Sequence, residues 1–243
     1  MKNQYKYLAF DVDNTITNSC QVIPDETANI FNSLNEELIF ISGANNPELR
    51  RMVSSKLSRK HHLMGNTGTH HILINHDNSE EEIHNRLLPE NDKSEIIAAL
   101  KSLKQEYNLI PHTSEEDQIL DRGSQITLSI LGRNADFNTK KCYDLDNAKR
   151  NEFIKYLTEI LRENKYQLKI GGGTSIDITK GKWDKGLALK EFLEDNNLQK
   201  EEMLFFGDQL GDGGNDFPVI KTGIKCIGVK SPEETISILR TLI

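Results

Sequence analysis

Cysteine is scarce in this sequence. Cys20, Cys142 and Cys226 are far apart, odd in number and without CxxC spacing. That argues against a disulfide framework or a cysteine zinc site and reads as reduced, structural thiols. Long apolar runs are absent too, so no segment is expected to span a membrane. The opening residues, MKNQYKYLAF, lack the apolar stretch of a secretory leader, and the expected location is cytoplasmic. No basic tract interleaved with aromatics occurs and the formal net charge is −7, so nucleic acid is not an expected partner. The negative balance still permits an anionic substrate, provided local cations capture it. Seven histidines include the pairs His61-His62 and His70-His71, but neither has the i, i+4 spacing of a helical zinc site. Both pairs are expected at the surface or in loops.

What is present is an alternation of short apolar runs with helical patterns. The 243 residues suit one large domain or two modest ones. Tyr7–Phe10, Leu38–Ile41, Ile72–Ile74, Met203–Phe206 and Lys225–Val229 read as buried strands. Helical patterns fall at 25–36, from Pro47 through Leu57, around Leu187–Leu193, and from Pro232 onward. Continuous apolar strands separated by helices indicate a parallel sheet covered on both faces. The middle differs. Residues 80–93 are polar and charged, as in a linker, and a helix follows through Ile96, Ile97, Leu100 and Leu103. The stretches QITLSIL (125–131) and SIDI (175–178) alternate, which predicts a sheet with one packed and one open polar face. The expected fold is α/β: a Rossmann-like three-layer parallel sheet core, residues 1–80 and 181–243, with an inserted α/β cap domain, residues 81–180.

In a parallel sheet, ligands bind beyond the carboxyl ends of the strands. Polar groups stand at those ends here: Asp11, Asp13 and Thr15 in FDVDNTIT, then Ser42-Gly43, then GDQLGDGGND (207–216) with Asp208, Asp212 and Asp216. Lys185, in GKWDKG, precedes a helix. Clustered carboxylates repel unless a cation separates them. An oxygen-rich set suits a hard cation such as Mg²⁺, which takes a few carboxylates plus substrate phosphate. Lys185 and Ser42 would then serve that phosphate with a charge and a donor. One of Asp11 and Asp13 would pair with the cation while the other handles a proton. An EF-hand loop starting at Asp11 fails, because Ile16 and Val22 stand where Gly and Glu are needed. GDGGND occurs once, whereas calcium β-helix repeats come in arrays. Gly171-Gly172-Gly173 lacks GxGxxG spacing and precedes a strand.

These four stretches, in this order, resemble the signatures of the haloacid dehalogenase superfamily, and the insertion resembles its type IIB cap. More narrowly, IGGGTSIDITKGKWDKG (170–186), FFGDQLGDGGNDF (205–217) and RGSQITLSILGRNA (122–135) resemble segments of the eukaryotic-type phosphomannomutases. The chain departs from that pattern at four places. Asn14 replaces the glycine of DxDGT, and Lys140 stands where a third cap arginine is expected. Ile130 replaces a strand proline, and Ser42-Gly43-Ala44 replaces Gly-Gly-Ser. Asn tolerates left-handed backbone, and lysine keeps the charge but loses the two-pronged fit to phosphate.

The resemblance implies a Mg²⁺-dependent phosphotransferase acting on hexose phosphates through an aspartyl phosphate on Asp11. Asp13 would act as acid/base, with Thr15, Ser42 and Lys185 completing the phosphate cradle. The metal would be held by the Asp11 side chain, the Asp13 carbonyl and Asp208, with Asp216 and Asn215 ordering its surroundings. Arg122, Arg133 and Lys140 would grip a distal phosphate, and Ser175 and Asp177 the sugar hydroxyls. The expected activity is interconversion of mannose 1-phosphate and mannose 6-phosphate. The alternatives are a sugar-phosphate phosphatase and, from another class, a non-catalytic phosphosugar sensor. A hexose 1,6-bisphosphate activator and a homodimer through the cap are further expectations. The helix at 95–106 could pair caps or cover its own sheet.

Overall fold

The computed structural model describes residues 5–162, 165–171, 173–181 and 183–242. Gly172 and Lys182, within the segment quoted above, lie outside the described residues. The chain divides into two compact units, Met1–Asn85 with Asp184–Ile243, and Arg86–Trp183.

The first unit opens with β1 (Tyr7–Asp11), α1 (Asp25–Ser33), β2 (Glu37–Ile41), α2 (Asn46–Met52), β3 (His61–Gly65), β4 (His70–Ile74) and β5 (Glu80–Asn85). The second unit follows with α3 (Glu90–Glu106), β6 (Ile119–Asp121), β7 (Gln125–Ser129), α4 (Phe137–Tyr143), α5 (Ala148–Ile160), β8 (Tyr166–Ile170) and β9 (Ser175–Lys180). The first resumes with α6 (Lys185–Asp195), β10 (Met203–Gly207), α7 (Phe217–Ile220), β11 (Lys225–Gly228) and α8 (Pro232–Leu242).

Among the described residues the first unit holds a seven-stranded sheet ordered β11-β10-β1-β2-β3-β4-β5. Its first five strands run parallel and β4 and β5 antiparallel. Side chains alternate along β1, so Leu8 and Phe10 face one helical layer and Tyr7 the other. Phe10 stacks on Phe206 at 4.9 Å and meets Phe31 of α1 at 5.0 Å between ring centroids. Leu49 of α2 and Leu239 of α8 join the same buried cluster. On the opposite face, Phe192 of α6 meets Tyr7 and His62 edge-on, each at 5.1 Å. Each fully buried Phe contributes roughly 1.5–3 kcal/mol. That packing seats β1, which carries Asp11 at its end, between β2 and β10.

Two expectations are corrected here. Residues 80–85 are not a linker. They form β5, which pairs with β4 and places the expected insert start at 81 inside a strand of the first sheet. The run of exposed glutamates conceals it, because an edge strand needs main-chain pairing but little burial. His61, His62 and His71 are not at the surface; their exposures are 1%, 8% and 4%. Strand β3 is HHLMG, and its ring nitrogens are satisfied internally. His61 Nδ1 donates to the Arg59 carbonyl at 2.7 Å, leaving Nε2 to accept from Ser54 Oγ at 2.7 Å. His62 Nδ1 and His71 Nε2 lie 2.9 Å apart as a hydrogen-bonded pair.

The second unit packs α3 and α5 on a four-stranded sheet, β6-β7-β9-β8. Ile126, Leu128, Ile176 and Ile178 face Ile96, Leu100, Leu103, Phe153 and Leu157. The apolar face of α3 is thus spent on its own sheet. The polar face of β7 was expected to be open, yet Gln125, Thr127 and Ser129 are buried. Gln125 donates to Thr127, which donates to Asp177. Buried polar groups paired in this way do not incur the desolvation penalty of orphaned ones. Among the described residues no helix is long and apolar enough to cross a membrane.

Candidate active site

β1 ends at Asp11, which is buried at 3% exposure. Beyond it the chain turns tightly. The Val12 carbonyl accepts from the amides of Thr15, Ile16 and Thr17, and Asn14 takes φ = 60°, a left-handed value that asparagine tolerates where glycine was expected. This turn returns the Thr15 hydroxyl to Asp11 Oδ2 at 3.0 Å. The half-exposed Asp13 leaves the strand line, and its Oδ1 accepts from the Cys20 amide at 2.7 Å.

Lys185 is the first residue of α6, capped by Asp184, whose Oδ1 accepts from the Leu187 amide at 2.9 Å. An ammonium at a helix N-terminus opposes the helix dipole. Here it is fully buried and compensated by two carboxylates, Asp11 Oδ1 at 2.5 Å and Asp216 Oδ1 at 2.7 Å. Burial works against the charged ammonium, but these two partners hold its pKa above the ordinary lysine value. The second oxygen of Asp216 accepts from the Gln209 amide at 3.1 Å. Two glycines permit this closeness. A Cβ at Gly207 would stand 2.5 Å from Asp216 Oδ2, and one at Gly186 would stand 2.4 Å from the Pro218 carbonyl oxygen.

Asp208, half-buried just past β10, completes an acidic set. Carboxylate oxygens of Asp11, Asp208 and Asp216 all lie within 4.8 Å of one another. Burial, with the Asp216 charge adding to it, raises Asp11 to about 7 against the pull of Lys185. Asp208 is also raised, first by burial and then by Asp216. Three carboxylates face one ammonium, an imbalance that a divalent cation would relieve. The Asp13 carboxylate is not part of this set, and Asp212 is exposed. Ser42, one residue past β2, is buried; its carbonyl accepts from the Thr67 amide at 2.7 Å and its Oγ from the Ala44 amide at 3.1 Å. The register pairs Asp11 with Ile41, so Ser42 follows at the same sheet edge as Asp11.

In the second unit, Asp177 sits opposite Thr127 on one side and Lys169 on the other. Thr127 Oγ1 donates to its Oδ1 at 2.7 Å. Burial raises Asp177, while the Thr127 hydrogen bond and the Arg122 and Lys169 charges favour its ionised form. Ser175 is two residues away, and a Cβ on Gly171 would lie 2.4 Å from its Oγ. The Arg122 charge is close enough to act on the Asp177 carboxylate. Arg133 is exposed and stands instead beside Lys140, whose ammonium donates to the Arg133 carbonyl. Lys169 was missed from the sequence; the signal was its polar position in YQLKI, alternating with Tyr166 and Leu168. Asp184 and Thr235, which contact the core site or its turn, were also missed. A capping aspartate before Lys185 was legible, but a threonine 220 positions from Thr15 was not.

Three comparisons bear on this arrangement. Residues 75–243 match the family model described as Eukaryotic phosphomannomutase. Phosphomannomutase 1 of Dictyostelium discoideum is 26% identical over 96% of this chain and 94% of its own length. The phosphomannomutase of Saccharomyces cerevisiae is 25% identical over 96% and 92%. Among solved structures, IMP-bound Plasmodium falciparum IMP-nucleotidase aligns with a TM-score of 0.69 at 16% identity, covering 99% of this chain and 68% of that one. A Streptococcus mutans protein aligns at 0.67 and 16% identity, covering 98% of both. These likenesses show the haloacid dehalogenase fold, and with the family match over most of its length this chain belongs to the eukaryotic phosphomannomutase family.

Proposed function

We propose that this chain interconverts mannose 1-phosphate and mannose 6-phosphate through a phosphoaspartate. The observation that carries the reading is the buried Lys185 ammonium shared by Asp11 and Asp216 beside Asp208. An Asp11 oxygen attacks phosphorus in line and forms an acyl phosphate as the bond to the sugar oxygen breaks. Asp13 delivers a proton to that oxygen and takes one from the incoming hydroxyl in the second half-reaction. The Cys20 amide donates to Asp13 Oδ1 at 2.7 Å and so fixes where that carboxylate stands. Lys185 offsets phosphoryl charge, and Thr15 and Ser42 place hydroxyls at the same sheet edge. Catalysis of this kind rests on positioning and electrostatics.

Asp11, Asp208 and the Asp13 carbonyl would hold Mg²⁺, with Asp216 fixing Lys185 and the 208–216 loop. When bound, the ion would draw charge from the phosphoryl oxygens. Arg122, Arg133 and Lys140 supply cations for a second phosphate, and Ser175 and Asp177 supply groups for sugar hydroxyls. A second phosphate is what a mutase must bind and a phosphatase need not, and a hexose 1,6-bisphosphate activator and a cytoplasmic location belong to the same reading. The test supplies mannose 1-phosphate, Mg²⁺ and glucose 1,6-bisphosphate. Mannose 6-phosphate supports the mutase; inorganic phosphate as the sole product overturns it in favour of a phosphatase.

A further inference from the structure

The geometry points to Thr235 as a positioning residue for the nucleophile turn, an inference that rests on the roles just proposed for Asp11 and Thr15. Thr235 is fully buried in the first turns of α8, and its hydroxyl donates to the Thr15 carbonyl at 2.6 Å. A helical threonine commonly turns its hydroxyl back on the carbonyl three or four residues earlier. This one reaches instead to a carbonyl 220 positions away. Among the described residues it is the donor that reaches that carbonyl.

The bond secures the far end of a peptide group whose Ile16 amide already donates to the Val12 carbonyl. Three amides, of Thr15, Ile16 and Thr17, converge on the Val12 carbonyl and anchor the donor side. The Thr15 carbonyl points away from them. Held at one end by Val12 and at the other by Thr235, the peptide plane after Thr15 is set, and with it the direction from which the Thr15 hydroxyl reaches Asp11 Oδ2 at 3.0 Å. The helix can act as a fixed post because Leu239 is fully buried and Ile236 nearly so, and Arg240 pairs with Glu26 of α1. Thr235 touches no reacting atom; it acts through Thr15.

The decisive variants are Thr235→Val, which keeps the shape and removes the hydroxyl, and Thr235→Ser, which keeps the hydroxyl. With mannose 1-phosphate, Thr235→Val is expected to lose roughly tenfold in kcat with KM within about twofold, and Thr235→Ser to stay close to wild type. A second readout needs no turnover. Amide exchange at Thr15, Ile16 and Thr17 is expected to quicken about tenfold in Thr235→Val, with the amides of β1 and β10 unchanged. Wild-type kcat in Thr235→Val, or unchanged exchange in the turn, overturns the inference. A wild-type enzyme that turns over no hexose phosphate sinks the functional reading, and exchange then decides the role of Thr235 by itself. If Thr235→Val does not fold, Thr235→Cys, with its weaker donor, supplies the same two readouts.

Discussion

Lys185 and Asp11 stand 174 positions apart in sequence and 2.5 Å apart in space, both buried. Their contact joins the first strand of the chain to the first residue of α6, and Asp216 closes it from a third segment. A charged triad in a dry setting is costly to break on one side only, because the remaining charges lose their partner.

Lys185→Met should therefore fail twice. Two buried carboxylates are left without their cation, and stability is expected to fall by about 3–5 kcal/mol. Phosphoryl transfer should vanish as well. Asp11→Asn differs: Lys185 keeps Asp216 as a partner and the charge removed is one that burial already disfavours, so turnover is lost while stability changes by less than about 1 kcal/mol. Urea denaturation of both variants, beside an assay for mannose 6-phosphate, separates the two outcomes. Equal destabilisation would contradict the triad.

Gly186 and Gly211 make a paired test of close packing. A Cβ at Gly186 would press on the Pro218 carbonyl, whereas one at Gly211 meets nothing within 4 Å. Gly186→Ala is expected to cost roughly 1–3 kcal/mol, shift α6 and lower kcat by displacing Lys185. Gly211→Ala should leave stability within about 0.5 kcal/mol of wild type. Thermal denaturation with parallel kinetics checks both.

Acid should destabilise the protein as pH falls below about 6.5, because two buried histidines outweigh the single proton that Asp11 takes up near 7. Burial lowers His61 to about 4 and His71 to about 3, and for His71 the neighbouring His62, His84 and His70 add to the effect. The unfolded chain binds these protons near pH 6.5, so the stabilisation is present above that value and is lost as pH falls toward 4. The slope should approach roughly 1.4 kcal/mol per pH unit for each histidine. Urea midpoints at pH 7, 6 and 5 measure it, and His71→Gln should flatten the curve. A flat profile in the wild type would contradict the burial of these rings.

Arg150 and Asp144 form a second buried pair, in the other unit, with a 2.9 Å Nε–Oδ2 bond. Asp144 also accepts from the amides of Lys149 and Arg150, and Arg150 reaches the Gly171 carbonyl at 3.3 Å. Asp144→Ala is expected to cost about 3–5 kcal/mol. Because Gly171 adjoins Ser175 and Asp177, a partly folded variant should show a raised KM for mannose 1-phosphate before any fall in kcat. Steady-state kinetics at 15 and 25 °C would display that order; an unchanged KM would count against it.

Much of this was legible from local chemistry. Asp11, Ser42, Asp208 and Lys185 announced themselves as polar residues ending apolar runs or opening a helix, and strand alternation marked Asp177 and Thr127 as sharing a face. What escaped notice was set by tertiary context. His61-His62 read as polar, yet a central strand buries them because Ser54, Arg59 and His71 meet their nitrogens. Glu80–Glu82 read as a linker, yet an edge strand can carry charge. Gln125, Thr127 and Ser129 are buried as well, because one-dimensional alternation separates the two faces of a strand without encoding what covers either.

The sheet order has a consequence for synthesis on the ribosome. β1 finds β2 as soon as about forty residues have emerged, but its other neighbour, β10, is made only after the whole inserted unit. At about 5–20 residues per second, that leaves Phe10 without its Phe206 cover, and Asp11 without its lysine, for about ten seconds or more. During this interval the inserted unit, contiguous in sequence, is free to fold first. Asp11 is thus the first residue of the acidic set to be translated and among the last to acquire its surroundings, so the nascent chain is exposed there longest, and a chaperone has most reason to wait.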